Sequence, residues 1–292
     1  MFRATFTALV TPFRNGDVDL AVFEKLIEAQ IGAGITGVVA VGTTGESPTL
    51  THEEKEQVIQ RTVKAARGRC KVLAGTGTNS TRDAIEATKF AEKAGVDGAL
   101  LVAPYYNKPS QEGLFRHFKA IAGATSLPIM LYNIPGRCSV DILPETVVRL
   151  AESCRNIVAI KEASGSVERV GELRGRLPDE FTILSGDDSL TLPFMSAGAV
   201  GVVSVASNLF PSEVCALVRA CESGDYGLAR RLQRKLMPLF KDLFIEPNPV
   251  PAKTALSWRG AMSGEVRLPL CEMSEANQAR LRKTLDEFEK AK

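Results

Sequence analysis

Histidine is nearly absent: the 292 residues contain only His52 and His117, and both fall in stretches patterned as helices. Neutral-pH proton transfer most often falls to histidine, so any such chemistry here has to come from other groups. The six cysteines, at 70, 138, 154, 215, 221 and 271, include no Cys-x-x-Cys pair, which removes the common zinc and dithiol motifs. No Gly-Lys dipeptide occurs, so there is no Walker loop, and no glycine-rich fingerprint follows the first apolar segment. No apolar stretch approaches the roughly 18 residues needed to span a bilayer. Charge of one sign is also scarce, because 36 Lys and Arg are interspersed with 34 Asp and Glu to leave a net +2. That balance is unlike the basic footprint of a nucleic-acid binder. Reduced, mostly buried thiols fit a cytoplasmic location. The apolar residues 1–10 lack the basic flank and cleavage site of a signal peptide and read as a first strand.

What is present is a repeat of short apolar segments ending in polar or glycine-containing turns, at 4–12, 37–42, 71–77, 98–105, 129–132, 157–161, 181–186 and 201–207. Apolar on both faces, they are expected to be buried parallel strands. Between them lie helical patterns with recognisable starts. Thr51 and Glu54 form a capping box ahead of Val58, Ile59 and Val63; Ser110 precedes Leu114, Phe118 and Ile121; Pro144 suits a first helical position. Eight strand–helix alternations predict an α/β chain folded as a (β/α)8 TIM barrel, with a doubly wound open sheet as the alternative. After 207 no strand pattern recurs, and residues 211–292 give three helical stretches interrupted by Glu246-Pro247-Asn248-Pro249-Val250-Pro251. The expected division is a catalytic barrel over 1–224 and a C-terminal helical extension over 225–292.

In such a barrel, reactive side chains project from the C-terminal strand ends. Lys161 ends the sixth segment, where apolar neighbours leave an ammonium without solvated surface. Such a lysine is either paired, for instance with the adjacent Glu162, or reactive through a neutral amine that attacks carbonyl carbon. An unperturbed amine is neutral about once in 2,500 at pH 7, so reactivity demands a pKa lowered by roughly 2 to 3 units. Gly42-Thr43-Thr44-Gly45-Glu46 allows close backbone approach and offers amides and hydroxyls to an anion such as a carboxylate, or is a plain turn. Tyr132 can act as general acid and base if hydroxyls of Thr44 or Tyr106 assist it. Arg137 is a guanidinium near the barrel mouth, suited to a carboxylate or to a surface salt bridge. Asp187 and Asp188, without clustered histidine, make a poor metal site, and no metal is expected.

Taken together, Gly42-Thr43-Thr44-Gly45-Glu46, Tyr105-Tyr106-Asn107-Lys108-Pro109, Tyr132-Asn133-Ile134-Pro135-Gly136-Arg137, Ile160-Lys161-Glu162-Ala163-Ser164 and the proline-rich 246–251 resemble the dihydrodipicolinate synthase family, within the pyruvate-dependent class I aldolase and N-acetylneuraminate lyase superfamily. The resemblance spans almost the whole chain. Arg137 separates it from the sialic-acid lyases, which generally lack that arginine. The resemblance implies that Lys161 forms an imine with pyruvate, that Thr43 and Thr44 hold the pyruvate carboxylate, and that Tyr132, Thr44 and Tyr106 relay protons, with Tyr106 supplied by a neighbouring subunit. It further implies that Arg137 binds the carboxylate of aspartate semialdehyde and that Gly186 and Val203 line the pocket. No added cofactor is implied, and the expected assembly is a homotetramer, a dimer of dimers. The family's lysine feedback site maps onto Ser47, His52, Lys55, Asn79, Asp83 and Tyr105. Lys55 stands where sensitive members often carry histidine or glutamate, and Asp83 where they often carry glutamate. A fixed positive charge there should repel a cationic effector, so weak or absent inhibition by lysine is expected.

Overall fold

The computed structural model describes residues 1–290. Its strands are β1 (Ala4–Ala8), β2 (Phe13–Arg14), β3 (Asp17–Val18), β4 (Gly37–Ala40), β5 (Lys71–Gly75), β6 (Gly98–Val102), β7 (Ile129–Asn133), β8 (Ile157–Glu162), β9 (Thr182–Ser185) and β10 (Gly201–Ser204). Eight of them close into a barrel in the order β1-β10-β9-β8-β7-β6-β5-β4, with β1 pairing parallel to both β10 and β4. The helices are α1 (Leu20–Gly32), α2 (His52–Ala66), α3 (Thr81–Ala94), α4 (Gln111–Ala122), α5 (Pro135–Cys138), α6 (Pro144–Ser153), α7 (Val167–Arg176), α8 (Thr191–Ser196), α9 (Pro211–Glu222), α10 (Tyr226–Asp242), α11 (Val250–Trp258) and α12 (Glu275–Lys290). The expected (β/α)8 barrel with a C-terminal helical extension is what the chain forms.

Local chemistry explains where the elements begin. Thr51 and Glu54 make the reciprocal capping box of α2, and Ser110 accepts from the Gly113 amide to start α4. Several strands stop short of the apolar segments that announced them. Ala103 N–H still reaches the Tyr132 carbonyl at 2.9 Å, but Pro104 has no donor and the β6 ladder ends there. The first segment likewise leaves the sheet after Leu9, whose amide bonds the Val39 carbonyl. It then turns through the β2–β3 hairpin, where Asn15 and Gly16 adopt φ of 54° and 87°. Asn-Gly is a strong short hairpin signal, and this one was not anticipated. The extension also differs from expectation, with four helices after residue 210 where three stretches were read. The proline-rich segment is itself a helix start, because Pro251 sits in the first turn of α11, where a missing N–H costs nothing.

Two apolar layers organise the barrel. Phe6, Val39, Leu73, Leu100, Met130, Ala159, Leu184 and Val203 fill its interior, while a larger set packs the outer strand faces against the helices. A third cluster joins Val202 and Val205 to Leu236, Leu256, Leu281 and Phe288, so the extension shares a core with the end of β10. All six cysteines are free, five of them buried and Cys271 exposed. Among the described residues no helix is long and apolar enough to cross a membrane.

Candidate active site

Side chains alternate along β8, so Ala159 and Lys161 point into the barrel while Ile160 and Glu162 point to the helix layer. That alternation removes the pairing of Lys161 with its neighbour. The Glu162 carboxylate accepts instead from Arg169 Nε at 2.9 Å, Asn133 Nδ2 at 3.1 and 3.2 Å, and the Ser164 amide at 2.7 Å. Lys161 is 5 % exposed, with Nζ 4.1 Å from the Tyr132 ring centroid. Burial brings its pKa down to about 7, opposed by the Asp188 charge and helped by that of Arg137. An amine there is about half neutral at pH 7 and can act as a nucleophile.

Gly186 follows β9 and makes room for this chain. A Cβ added at 186 would stand 3.0 Å from Lys161 Cε, 3.1 Å from Lys161 Cγ and 2.8 Å from Ala163 Cβ. Val203, 1 % exposed on β10, belongs to the same interior cluster as Tyr132. The neighbouring acids are occupied. Asp188 accepts from Ser204 Oγ and, at 2.8 and 3.0 Å, from the Val205 and Ala206 amides; Asp187 accepts from the Ser189 amide and hydroxyl, both at 2.8 Å. Burial pushes the Asp188 carboxyl up.

Tyr132 is 5 % exposed, and burial raises its phenol pKa, against the lowering effects of the Arg137 charge and a hydrogen bond with the Thr43 hydroxyl. Here the structure differs from the sequence reading, which set Thr44 beside Tyr132. Adjacent residues of the 42–46 turn face different ways, and the Thr44 hydroxyl accepts instead from Asn248 Nδ2 at 3.0 Å. Asn248, in the extension, was assigned no role from sequence. Its signal was a lone amide between two prolines, in a place neither helix nor strand could use. Equally unforeseen is the pair beneath that turn. Lys253 is wholly buried, with Nζ 2.6 Å from Glu46 Oε1 and 2.8 Å from the Thr11 carbonyl, and the Arg267 amide donates to Glu46 Oε2 at 3.1 Å.

A half-neutral lysine at the C-terminal end of a barrel strand, beside a buried tyrosine and a threonine-rich turn, can be compared with known proteins. Residues 1–288 match the dihydrodipicolinate synthetase family. The chain belongs to that family. It is 51 % identical over 288 residues to the 4-hydroxy-tetrahydrodipicolinate synthase of Endomicrobium trichonymphae, covering 99 % of each chain. The 4-hydroxy-tetrahydrodipicolinate synthase structure from Methylacidiphilum fumariolicum SolV superposes with a TM-score of 0.98 at 57 % identity, over 99 % of this chain and 97 % of that one. A crystal structure of the Aquifex aeolicus dihydrodipicolinate synthase gives 0.98 at 50 % identity, over 99 % and 98 %.

Two other positions singled out from sequence in this dihydrodipicolinate synthetase family member lie at the barrel mouth. Arg137, in the short α5, is exposed, and its charge reaches both Tyr132 and Lys161. Tyr106, in the loop after β6, is 90 % exposed and has a φ of 73°. An aromatic held in the left-handed region and bare to solvent is unfavourable on both counts in an isolated subunit. The six positions expected from the resemblance to form an effector site divide. His52, Lys55 and Asp83 line a cavity of about 260 Å³ between α2 and α3, together with Glu56 and Glu86. Asn79 Nδ2 donates to the Tyr105 carbonyl at 3.1 Å, and Ser47 opens a single helical turn after Glu46. Burial lowers the Lys55 pKa. The two histidines take no part in the site: His52 is exposed, and His117 is buried against Phe118 with Nδ1 2.9 Å from Thr81 Oγ1.

Proposed function

We propose that this chain condenses pyruvate with L-aspartate 4-semialdehyde through a Schiff base on Lys161, giving 4-hydroxy-tetrahydrodipicolinate, the committed step toward lysine and diaminopimelate. It is a carbon–carbon lyase of its family. The observation that carries the mechanism is the buried Lys161 amine, its pKa near 7, stacked on Tyr132. Neutral amine adds to the pyruvate carbonyl, water leaves, and the imine loses a methyl proton to become an enamine. The enamine attacks the aldehyde, and cyclisation through the substrate's own amine releases the lysine. Because the imine itself is the electron sink, the reaction needs no metal or cofactor.

In this reading Tyr132 and Thr43 move protons between the reacting atoms, a revision of the relay drawn from sequence, and Tyr106 of a neighbouring subunit completes the chain. Thr43 and Thr44 hold the pyruvate carboxylate, Arg137 holds that of the semialdehyde, and Gly186 and Val203 shape the pocket. The active unit is then a dimer, paired again into a tetramer. Residues 1–224 form the catalytic barrel and 225–292 the extension, the boundary falling between α9 and α10. Free, mostly buried thiols favour the cytoplasm. The function is tested by borohydride reduction in the presence of pyruvate, followed by a coupled assay with aspartate semialdehyde. A stable adduct on Lys161, absent from Lys161→Ala, together with turnover of the semialdehyde, is the expected result. An adduct without such turnover would move the chain to another pyruvate-dependent aldolase of the superfamily, and a folded protein giving no adduct would remove the enzymatic reading altogether.

A further inference from the structure

We infer that Asn248 is a positioning residue for the keto acid: its amide occupies the acceptor side of the Thr44 hydroxyl and so leaves that hydroxyl's single proton for the substrate carboxylate. The inference rests on the proposed function and adds to it a residue from outside the barrel. An amide N–H only donates, whereas a hydroxyl has one proton to give and lone pairs to accept. With Asn248 Nδ2 donating at 3.0 Å, the Thr44 oxygen is the acceptor of that bond, and its proton is directed elsewhere. Both side chains are buried, Thr44 at 3 % and Asn248 at 6 % exposure. Asn248 Oδ1 is buried with no hydrogen-bond partner, so the bond to Thr44 is the side chain's one tie. A buried amide kept for a single bond, at the cost of an unpaired acceptor, points to orientation rather than to packing. The surroundings fix it further. Pro247 and Pro249 restrict the backbone on either side, and Lys253, on the helix that follows, grips Glu46 two residues beyond Thr44. The 42–46 turn is therefore held from the extension at two points, and the adjacent Thr43 bonds Tyr132, the ring on which Lys161 stacks. In a keto acid the carboxylate carbon is bonded to the carbon that becomes the imine, so a donor for it has to come from this neighbourhood.

The test compares Asn248→Asp with Asn248→Ala. Aspartate has the same shape but only accepts, so it takes the Thr44 proton and faces the incoming carboxylate with a charge. The KM for pyruvate is expected to rise by at least about 30-fold in Asn248→Asp and about 3- to 10-fold in Asn248→Ala, with kcat within about threefold of wild type in both, as for an interaction that binds the ground and transition states alike. A packing role gives the opposite order, the isosteric Asp milder than Ala. A double-mutant cycle supplies the second readout, which stands even if the Asp variant fails to fold. Asn248→Ala should leave the pyruvate KM unchanged in a Thr44→Val background, because Asn248 acts only through that hydroxyl. An Ala effect that persists undiminished without the Thr44 hydroxyl, or a folded Asp variant whose pyruvate KM stays within about threefold of wild type, overturns the inference. Wild-type enzyme that traps pyruvate while either of these holds leaves the proposed function standing. Wild type that traps none removes both.

Discussion

A buried amine without a carboxylate partner destabilises the fold that holds it, and Lys161 is such an amine. Its folded-state pKa is about 7 against an ordinary 10.5. Between those values the unfolded chain binds a proton that the folded chain does not, so stability rises with pH across that window, and the penalty is complete below about 7. Lys161→Met should therefore abolish turnover, by at least about a thousandfold, while stabilising the protein by about 1–2 kcal/mol near neutrality. That gain should shrink toward zero as denaturant melts are repeated up to pH 10.5. In the wild type, kcat/KM for pyruvate should climb through an apparent pKa near 7, the value of the free amine. Lys161 was legible in the sequence because an ammonium at the end of a doubly apolar segment has nowhere to be solvated. The choice between Thr43 and Thr44 was not, since a one-residue step inside an irregular turn has no period from which direction can be read. Asn248 was illegible for another reason: its partner lies 204 positions away.

At the scale of elements, the loop after β4 and the helix α11 are joined through one buried ion pair. Removing one member strands the other, so Lys253→Met is expected to cost about 3–5 kcal/mol in chemical denaturation. Lys253→Met combined with Glu46→Gln should cost less than the single change, because no unpaired charge then remains in the interior. Strand and helix identities were readable from apolar runs, capping boxes and first-turn prolines; strand ends were not, because apolar residues continue into the loops after the ladder stops. The cavity between α2 and α3 holds three of the six positions at which the family resemblance implies an effector site. Lys55 reaches it partly desolvated, beside Glu56, Asp83 and Glu86. Lysine should inhibit weakly or not at all, and Lys55→His should strengthen whatever inhibition exists. A sub-millimolar inhibition constant for the unaltered enzyme would contradict this.

For the molecule as a whole, the barrel followed from counting eight alternations, and the chain closes its sheet as that count requires. Assembly is a different matter, since surface helices carry no pattern that separates interface from solvent. Tyr106 offers a way to test it. If each subunit lends this side chain to its neighbour, Tyr106→Phe and Lys161→Ala proteins, both nearly inactive alone, should regain roughly a quarter of wild-type activity when co-expressed, since one mixed dimer in two carries one intact site of two. Activity no greater than that of the separate variants would mean that each subunit works with its own residues.

The ties that run from 248, 253 and 267 back to Thr44, Glu46 and Thr11 also join the last-made part of the chain to the first. All eight barrel strands precede α11 in the chain, so the whole sheet is synthesised before the segment that ties down the 42–46 turn. A nascent chain halted near residue 240 would contain every barrel strand yet none of these partners of Thr44, Glu46 and Thr11, which arrive only in the last fifth of translation.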